Sequence, residues 1–377
     1  MKNLQNIIGE LRSNPMFNFS LSSKELFHSN FWEWLCNVAP KEMIMIFANY
    51  FDELKDCNEI TITKREYKKF DLLIEFDRNK VLIIENKLKS IASENQLNLY
   101  SDKIRRLKNK KENKNKMYYA VIISMMKPMF IENIYYESNN SLVWKYISYE
   151  NFVTKFININ TCENYKKYII DYVAFTLKLN NIISDVNFNN FPDIKAIINY
   201  KLSLEELRIY DIFIKSFNSY FCYKLKERLQ NTFSNVYINN HALLKEKNIA
   251  PGTVVINYGY NNGGIIFIYL KLKNIWFVSI YEKVNRFGLG FYHSESNTKP
   301  LKTFVQNNAC ISKLLKLNPQ NLNNSRIATK RKGKKYQYEG GKYKFDFVYL
   351  SDHMIFEELT EIIAISLIYA YKKLLKN

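Results

Sequence analysis

The feature that most constrains this chain is a pair of short runs, Phe70–Phe76 and Val81–Lys87, separated by the turn-forming residues Asp77, Arg78 and Asn79. Each run has the length and alternation of a β-strand, and the polar residues between them predict a hairpin. With a three-residue loop in which Asn79 takes the left-handed conformation, Phe76 pairs with Lys80 and Asp71 falls opposite Glu85. Side chains alternate along a strand, so Lys87 shares the face of Asp71 and Glu85. Leu72, Ile74, Leu82 and Ile84 form the other face, apolar and suited to packing on a helix. Two carboxylates placed opposite each other repel, and sheet pairing alone gives no reason to tolerate them. A divalent cation removes that repulsion. Magnesium takes oxygen ligands and binds through one or two carboxylates together with water and substrate phosphate. With an ammonium beside the pair to balance charge on a phosphate, the chemistry expected is phosphodiester hydrolysis.

The surrounding pattern places the hairpin in an α/β sandwich. Leu26, Phe27, Phe31, Trp34 and Leu35 recur at helical spacing, and Ser22 with Glu25 has the spacing of a capping box, so a helix is expected over about 24–37. A strand-like run, Glu59–Glu66, completes a meander with the hairpin. A polar helix over roughly Ser93–Lys110 follows, then the all-apolar run Tyr118–Ser124, which reads as a buried central strand. Leu142–Ile147 is a further strand, Tyr149–Phe156 opens another helix, and a last helix covers about 163–180. At 377 residues the chain exceeds what one core organises, and the Asn-rich segment Asn180–Pro192 marks the expected boundary between domains at 1–180 and 181–377. In the second half a helix over about 203–231, strand-like runs at about 252–258, 264–271, 275–282 and 343–350, and a closing helix at about 354–375 predict an α+β domain.

The run Phe70-Asp71-Leu72 followed by Ile84-Glu85-Asn86-Lys87 resembles the D…E-x-K signature of the PD-(D/E)XK nuclease superfamily, in its bacterial branch. Phe70 stands where a Pro usually precedes the Asp, a departure that leaves the metal ligands intact. The segment Glu25-Leu26-Phe27-His28-Ser29-Asn30-Phe31 resembles the first helix of that branch. Gln96 and Tyr100 resemble its Q-x-x-x-Y element on the helix after the E-x-K strand, where residues four apart share a face. Trp144–Phe152, with Ile147-Ser148-Tyr149 at its centre, resembles the last core strand and helix. The resemblance runs in order through about residues 20–180. It implies a restriction-endonuclease-like sandwich, a central mixed sheet flanked by helices, with Asp71, Glu85, Lys87, Gln96 and Tyr100 as catalytic residues. Glu25, Asp71 and Glu85 would hold Mg²⁺, with Mn²⁺ as a substitute, and restriction or phage defence is the implied setting. His28 stands open between a phosphate contact and a satisfied helix histidine.

Charge points to the same partner. The formal net charge is +19; residues 1–180 hold 27 Lys and Arg against 21 Asp and Glu, and residues 181–377 hold 28 against 15. A basic surface suits a polyanion, because neutralising phosphates releases counterions. Part of the Lys content also reflects an AT-rich coding bias shared with Asn, Ile and Tyr. The stretch Lys103, Arg105, Arg106, Lys108, Lys110, Lys111, Lys114 and Lys116 is either a phosphate track beside the catalytic face or a solvated helix end. A second run, Arg326, Lys330, Arg331, Lys332, Lys334 and Lys335 with Tyr336 and Tyr338, sets cations beside aromatics in the more basic half, as nucleic-acid surfaces do. The expected partner is nucleic acid, DNA first, with the second domain positioning it or forming a homodimer. Cys36, Cys57, Cys162, Cys222 and Cys310 are far apart with no C-x-x-C, so neither a disulfide framework nor a zinc site is expected. Met1–Pro15 lacks the apolar stretch of a signal peptide and Ile362–Tyr371 is too short to span a bilayer, which predicts a cytoplasmic protein without a membrane partner. Two other functions use the same residues: a nucleic-acid-binding protein that keeps the fold without catalysis, and an RNA-cleaving toxin. The first has no use for apposed carboxylates.

Overall fold

The computed structural model describes residues 2–20, 24–128, 130–131, 133–161, 163–238, 242–245, 248–258, 266–271, 276–282, 286–292, 327–338, 341–350 and 353–374. Ser22, and with it the expected capping box, lies outside these residues, as do Cys162, Cys310 and Arg326. The chain divides into two compact units, Met1–Asp185 with Ser203–Ile212, and Val186–Leu202 with Phe213–Asn377.

In the first unit, α1 (Lys2–Ser13), α2 (Pro15–Ser20), α3 (Lys24–Val38) and α4 (Pro40–Ala48) precede a meander of β1 (Ile60–Arg65), β2 (Leu72–Phe76) and β3 (Lys80–Lys87). Then come α5 (Glu94–Lys108), β4 (Met117–Ser124), β5 (Tyr135–Glu137), β6 (Val143–Ser148), α6 (Tyr149–Val153) and α7 (Glu163–Ser184). The strands form one six-stranded mixed sheet in the order β1-β2-β3-β4-β6-β5. β1, β2 and β3 pair antiparallel, β3–β4 and β4–β6 pair parallel, and β5 returns antiparallel to β6. Parallel strands need a crossover that covers the sheet, and α5 supplies it between β3 and β4. The architecture is therefore α/β.

The hairpin register matches the alternation argument: Phe76 pairs with Lys80 and Leu72 with Ile84. Its turn differs. The left-handed residues are Asp77 (φ 47°) and Arg78 (φ 61°), not Asn79, whose N–H donates to the Phe76 carbonyl at 3.1 Å. Asp77 tolerates this backbone, and its carboxylate is held there by the N–H groups of Asn58 and Glu59 at 3.1 and 3.0 Å. A second difference concerns the faces. Every residue of β2 and all but Lys80 of β3 is buried, because helices cover both sides of the sheet. Leu73, Val81 and Ile83, on the face of Glu85, pack with Leu97, Ile104 and Leu107 of α5. Asp71, Glu85 and Lys87 thus occupy one end of a largely apolar face, with Glu75 opposite Val81 toward its other end, rather than a charged side.

Opposite α5, Leu72, Ile74, Leu82 and Ile84 are completely buried. Beside them an aromatic cluster joins α3, α6 and α7: Phe31 stacks on Tyr172 at 3.8 Å, and Trp32 packs edge-on to Phe152 at 5.1 Å. Each such side chain contributes about 1.5–3 kcal/mol by leaving water.

The second unit is an α+β body. α8 (Ile194–Glu206) and α9 (Tyr210–Gln230) carry residues of both units. They replace the single helix expected over 203–231. α8 stops where Arg208 turns left-handed (φ 51°), with the Ile209 N–H returning to the Leu204 carbonyl at 2.9 Å and the Arg208 N–H to Glu205 at 2.9 Å. This six-to-one and five-to-two pairing is a Schellman stop. It lets both Leu207 and Ile209 turn inward, each under 5% exposed. The strands β7 (Val236–Ile238), β8 (Val254–Tyr258), β9 (Ile266–Lys271), β10 (Trp276–Glu282), β11 (Arg286–Tyr292), β12 (Ile327–Tyr338) and β13 (Gly341–Leu350) precede α10 (Phe356–Leu374). They form a seven-stranded sheet in the order β12-β13-β11-β10-β9-β8-β7. β7, β11 and β12 were not expected from sequence. Among the described residues no helix is long and apolar enough to cross a membrane.

Candidate active site

The site is assembled where the end of β3 meets α5, α3 and the residue before β2. β3 delivers Glu85, Asn86 and Lys87 in succession, and alternation sends Glu85 and Lys87 to the α5 side and Asn86 to the α3 side. Lys87 Nζ lies 2.6 Å from Glu85 Oε1, and both side chains are buried, with 11% and 1% of their surface exposed. Asp71, half-buried, enters from the neighbouring strand end, and its Oδ2 accepts the backbone N–H of Asn86 at 2.7 Å.

α5 closes the site from above. Its N-cap, Ser93, accepts the Gln96 N–H at 3.2 Å, which fixes the first turn and aims Gln96 at the sheet. Gln96 Nε2 then donates to Glu85 Oε1 at 2.7 Å and approaches the Tyr100 hydroxyl at 3.2 Å. Tyr100 rests its ring edge-on against the buried Phe70 at 5.5 Å, and Lys103 lies over that ring at 4.8 Å. Asp71, Glu85, Lys87, Gln96 and Tyr100 are thereby brought together.

The electrostatics follow from burial. Desolvation, reinforced by the Asp71 charge, pushes the Glu85 carboxyl up to about 8 against the pull of Lys87. Asp71 is also raised by desolvation, partly offset by Lys87 and by the Asn86 N–H. For Lys87, burial acts to lower the ammonium, but Glu85, Asp71 and Glu25 outweigh it and hold the group charged. Glu85 Oε2 is buried with no hydrogen-bond partner. An orphaned carboxylate oxygen beside a second desolvated carboxylate fits a hard divalent cation that binds through one or two carboxylates and keeps several waters. Asp71 and Glu85 are the residues that would hold it.

Glu25 does something else. Its Oε1 accepts the N–H groups of Lys89 and Ser90, each at 3.1 Å, and the Ser90 hydroxyl at 2.8 Å. Among the described residues no group of three or more His, Cys, Asp or Glu side chains is gathered as a metal site, so the expected trio of Glu25, Asp71 and Glu85 does not form. Glu25 instead pins the chain leaving β3.

His28, weighed as a phosphate contact, is a core residue. It is fully buried, its Nδ1 2.6 Å from the Tyr172 hydroxyl, with rings of Tyr149, Tyr172 and Phe175 within 5.7 Å. The helical repeat of Leu97, Ser101, Ile104 and Leu107 buries one face of α5 and leaves Arg105 and Arg106 in solvent, Arg105 paired with Asp102 at 3.2 Å. Lys116 is withdrawn from the expected phosphate track, since it pairs with the buried Glu75 at 2.7 Å. Lys330, Arg331 and Lys332 lie in β12, in register with Val348, Phe347 and Asp346 of β13; their side chains lie outside the described residues.

Asn86 was not singled out from sequence, yet it is the hub of the site. Completely buried, it donates through Nδ2 to the Glu25 carbonyl at 2.7 Å and to Ser29 Oγ at 3.0 Å, and accepts from the Tyr149 hydroxyl. The signal was present: an amide in the slot that continues the apolar face of Leu82 and Ile84 must find buried partners.

No family model, no curated protein and no solved structure matches the chain.

Proposed function

We propose that the chain is a magnesium-dependent nuclease that hydrolyses phosphodiester bonds in nucleic acid, DNA first, with Asp71, Glu85 and Lys87 as its reacting set. The single observation that carries this reading is the desolvated Asp71–Glu85 pair with an orphaned oxygen and an ammonium 2.6 Å from Glu85. Such a group is costly for a fold and suited to a cation with a phosphate. The ordered resemblance to PD-(D/E)XK nucleases through about residues 20–180 supports it, as does a six-stranded mixed sheet flanked by helices, which suits the restriction-endonuclease-like form of that fold.

When bound, Mg²⁺ supplies Lewis-acid activation of water and neutralises charge on the phosphate. The chain's own residues do the rest. Asp71 and Glu85 present oxygens from two strand ends held in register, and the Asn86 N–H orients Asp71. Gln96 orients Glu85 from above, and Lys87 holds a positive charge where a phosphate's negative charge grows. Burial under α5 keeps these interactions strong by excluding water.

The test is incubation of the full chain with Mg²⁺ and supercoiled plasmid, linear duplex, single strands and RNA. Cleavage of one or more is expected, and Asp71→Ala, Glu85→Ala and Lys87→Ala should each lower its rate by at least about a hundredfold while binding survives. Near wild-type rates in any two of the three variants would refute the assignment.

A further inference from the structure

The connection from β1 to β2, which closes the pair Arg65 and Leu72 and ends at Asp71, has an unusual backbone. Glu66, Lys68 and Lys69 take φ of 48°, 54° and 71°, and none of them is a residue type that favours this region. Surrounding structure holds them there. The Glu66 N–H donates to the Asp71 carbonyl at 3.3 Å and the Phe70 N–H to the Tyr67 carbonyl at 3.1 Å. Phe70 is fully buried, and Tyr67 packs half-buried against the same apolar cluster as Tyr100. Backbone of this kind costs free energy and persists only where the surrounding structure over-determines it.

Its consequence is a fixed ring with cations gathered around it. Lys64 and Lys68 lie 5.1 and 5.3 Å from the Tyr67 centroid, and Lys69 is exposed beside them. The neighbouring Arg65 is neutralised by Glu33 and bound by Asn30. Among the described residues Lys64, Lys68 and Lys69 form no ion pair. The turn's one carboxylate, the exposed Glu66, likewise forms no ion pair among the described residues. Two ammoniums over one ring, with the exposed Lys69 next in the chain and no ion pair among the three, make a locally positive surface that the repeating phosphates of a nucleic acid would neutralise.

We infer that Lys64 and Lys68, mounted on Tyr67, together with the adjacent exposed Lys69 form a ridge that seats the sugar–phosphate backbone and leads it to Asp71. The inference deepens the nuclease reading and rests on it for the identity of the ligand. The ridge binds; it takes no part in the chemical step.

The experiment measures affinity of the full chain for a labelled duplex and for single strands across several salt concentrations, with Ca²⁺ replacing Mg²⁺ to suppress cleavage. In the triple variant Lys64→Gln, Lys68→Gln, Lys69→Gln the slope of log affinity against log salt should fall by about 0.9 for each duplex phosphate that is no longer neutralised, or about 0.7 on single strands. With Mg²⁺ present, KM should rise while kcat holds. The charge-preserving variant Lys64→Arg, Lys68→Arg, Lys69→Arg should keep the wild-type slope. A wild-type slope in the Gln variant overturns the inference and leaves the nuclease reading standing. Loss of competition by inorganic phosphate alone, with the nucleic-acid slope intact, also overturns it. Binding with the expected slope change but no cleavage of any substrate would uphold the ridge and sink the nuclease reading. A wild-type chain that binds no nucleic acid sinks both.

Discussion

Glu85 is the residue on which the pH behaviour should turn. Its folded carboxyl is raised to about 8 from an ordinary 4.5, so its contribution favours the fold fully below 4.5 and is lost as pH rises through 8. Asp71 shifts in the same direction. The metal-free protein should therefore lose stability between these pH values, and Glu85→Gln should flatten that dependence and be the more stable form above pH 8; melting curves in chelator across this range would show it. Cation binding requires both carboxylates ionised, so less Mg²⁺ should be needed as pH rises. Glu25 separates two roles. As an acceptor for Lys89 and Ser90 it should tolerate Glu25→Gln without a change in Mg²⁺ requirement, whereas Asp71→Asn should raise that requirement sharply in a metal titration. Asn86→Ala strands the Tyr149 hydroxyl in the core and takes one donor from the Glu25 carbonyl, which keeps the Ser29 hydroxyl; this should cost about 1–3 kcal/mol in denaturant unfolding.

At the scale of elements, the first turn of α5 decides how Gln96 reaches Glu85. Removing its cap with Ser93→Ala should cost about 1 kcal/mol of stability and slow cleavage, because the Gln96 amide loses its backbone anchor. Gln96→Ala should slow cleavage with little loss of fold. The β1–β2 turn behaves in the opposite sense. Lys69→Gly puts the residue type that suits φ 71° at a strained position and should raise stability by up to about 1 kcal/mol, while weakening nucleic-acid binding. Higher melting temperature together with weaker binding would mark the turn as a place where stability is given up for function.

Across the whole molecule, residues 181–377 carry 28 of the 55 cations against 15 of the 36 anions. If this half supplies salt-sensitive affinity, neutralising Lys330, Arg331, Lys332, Lys334 and Lys335 together should lower the salt slope by about 0.9 for each duplex phosphate set free and leave the metal dependence unchanged. An unchanged slope would remove β12 from the nucleic-acid account. Its placement also explains why the strand escaped detection: a Lys-rich run carries no apolar alternation, and only the pairing with β13 makes it a strand.

Local pattern alone determined the hairpin register, the meander and the central β4, because alternation with period two and a short polar turn leave few pairings open. It also determined which residues had chemistry to offer, since apposed carboxylates need a reason to exist. Tertiary packing decided the rest. Only the helices on both faces show that Glu85 is buried, and burial is what raises its carboxyl and orphans its oxygen. Only the docking of α3 turns Glu25 toward Lys89 and Ser90 and drives His28 into the aromatic core. The Asn86 hub and the Lys–Tyr ridge depend on contacts between residues far apart in the chain or on left-handed backbone that lysine does not signal. Periodicity reports which face a side chain occupies, whereas burial and partners depend on what covers that face.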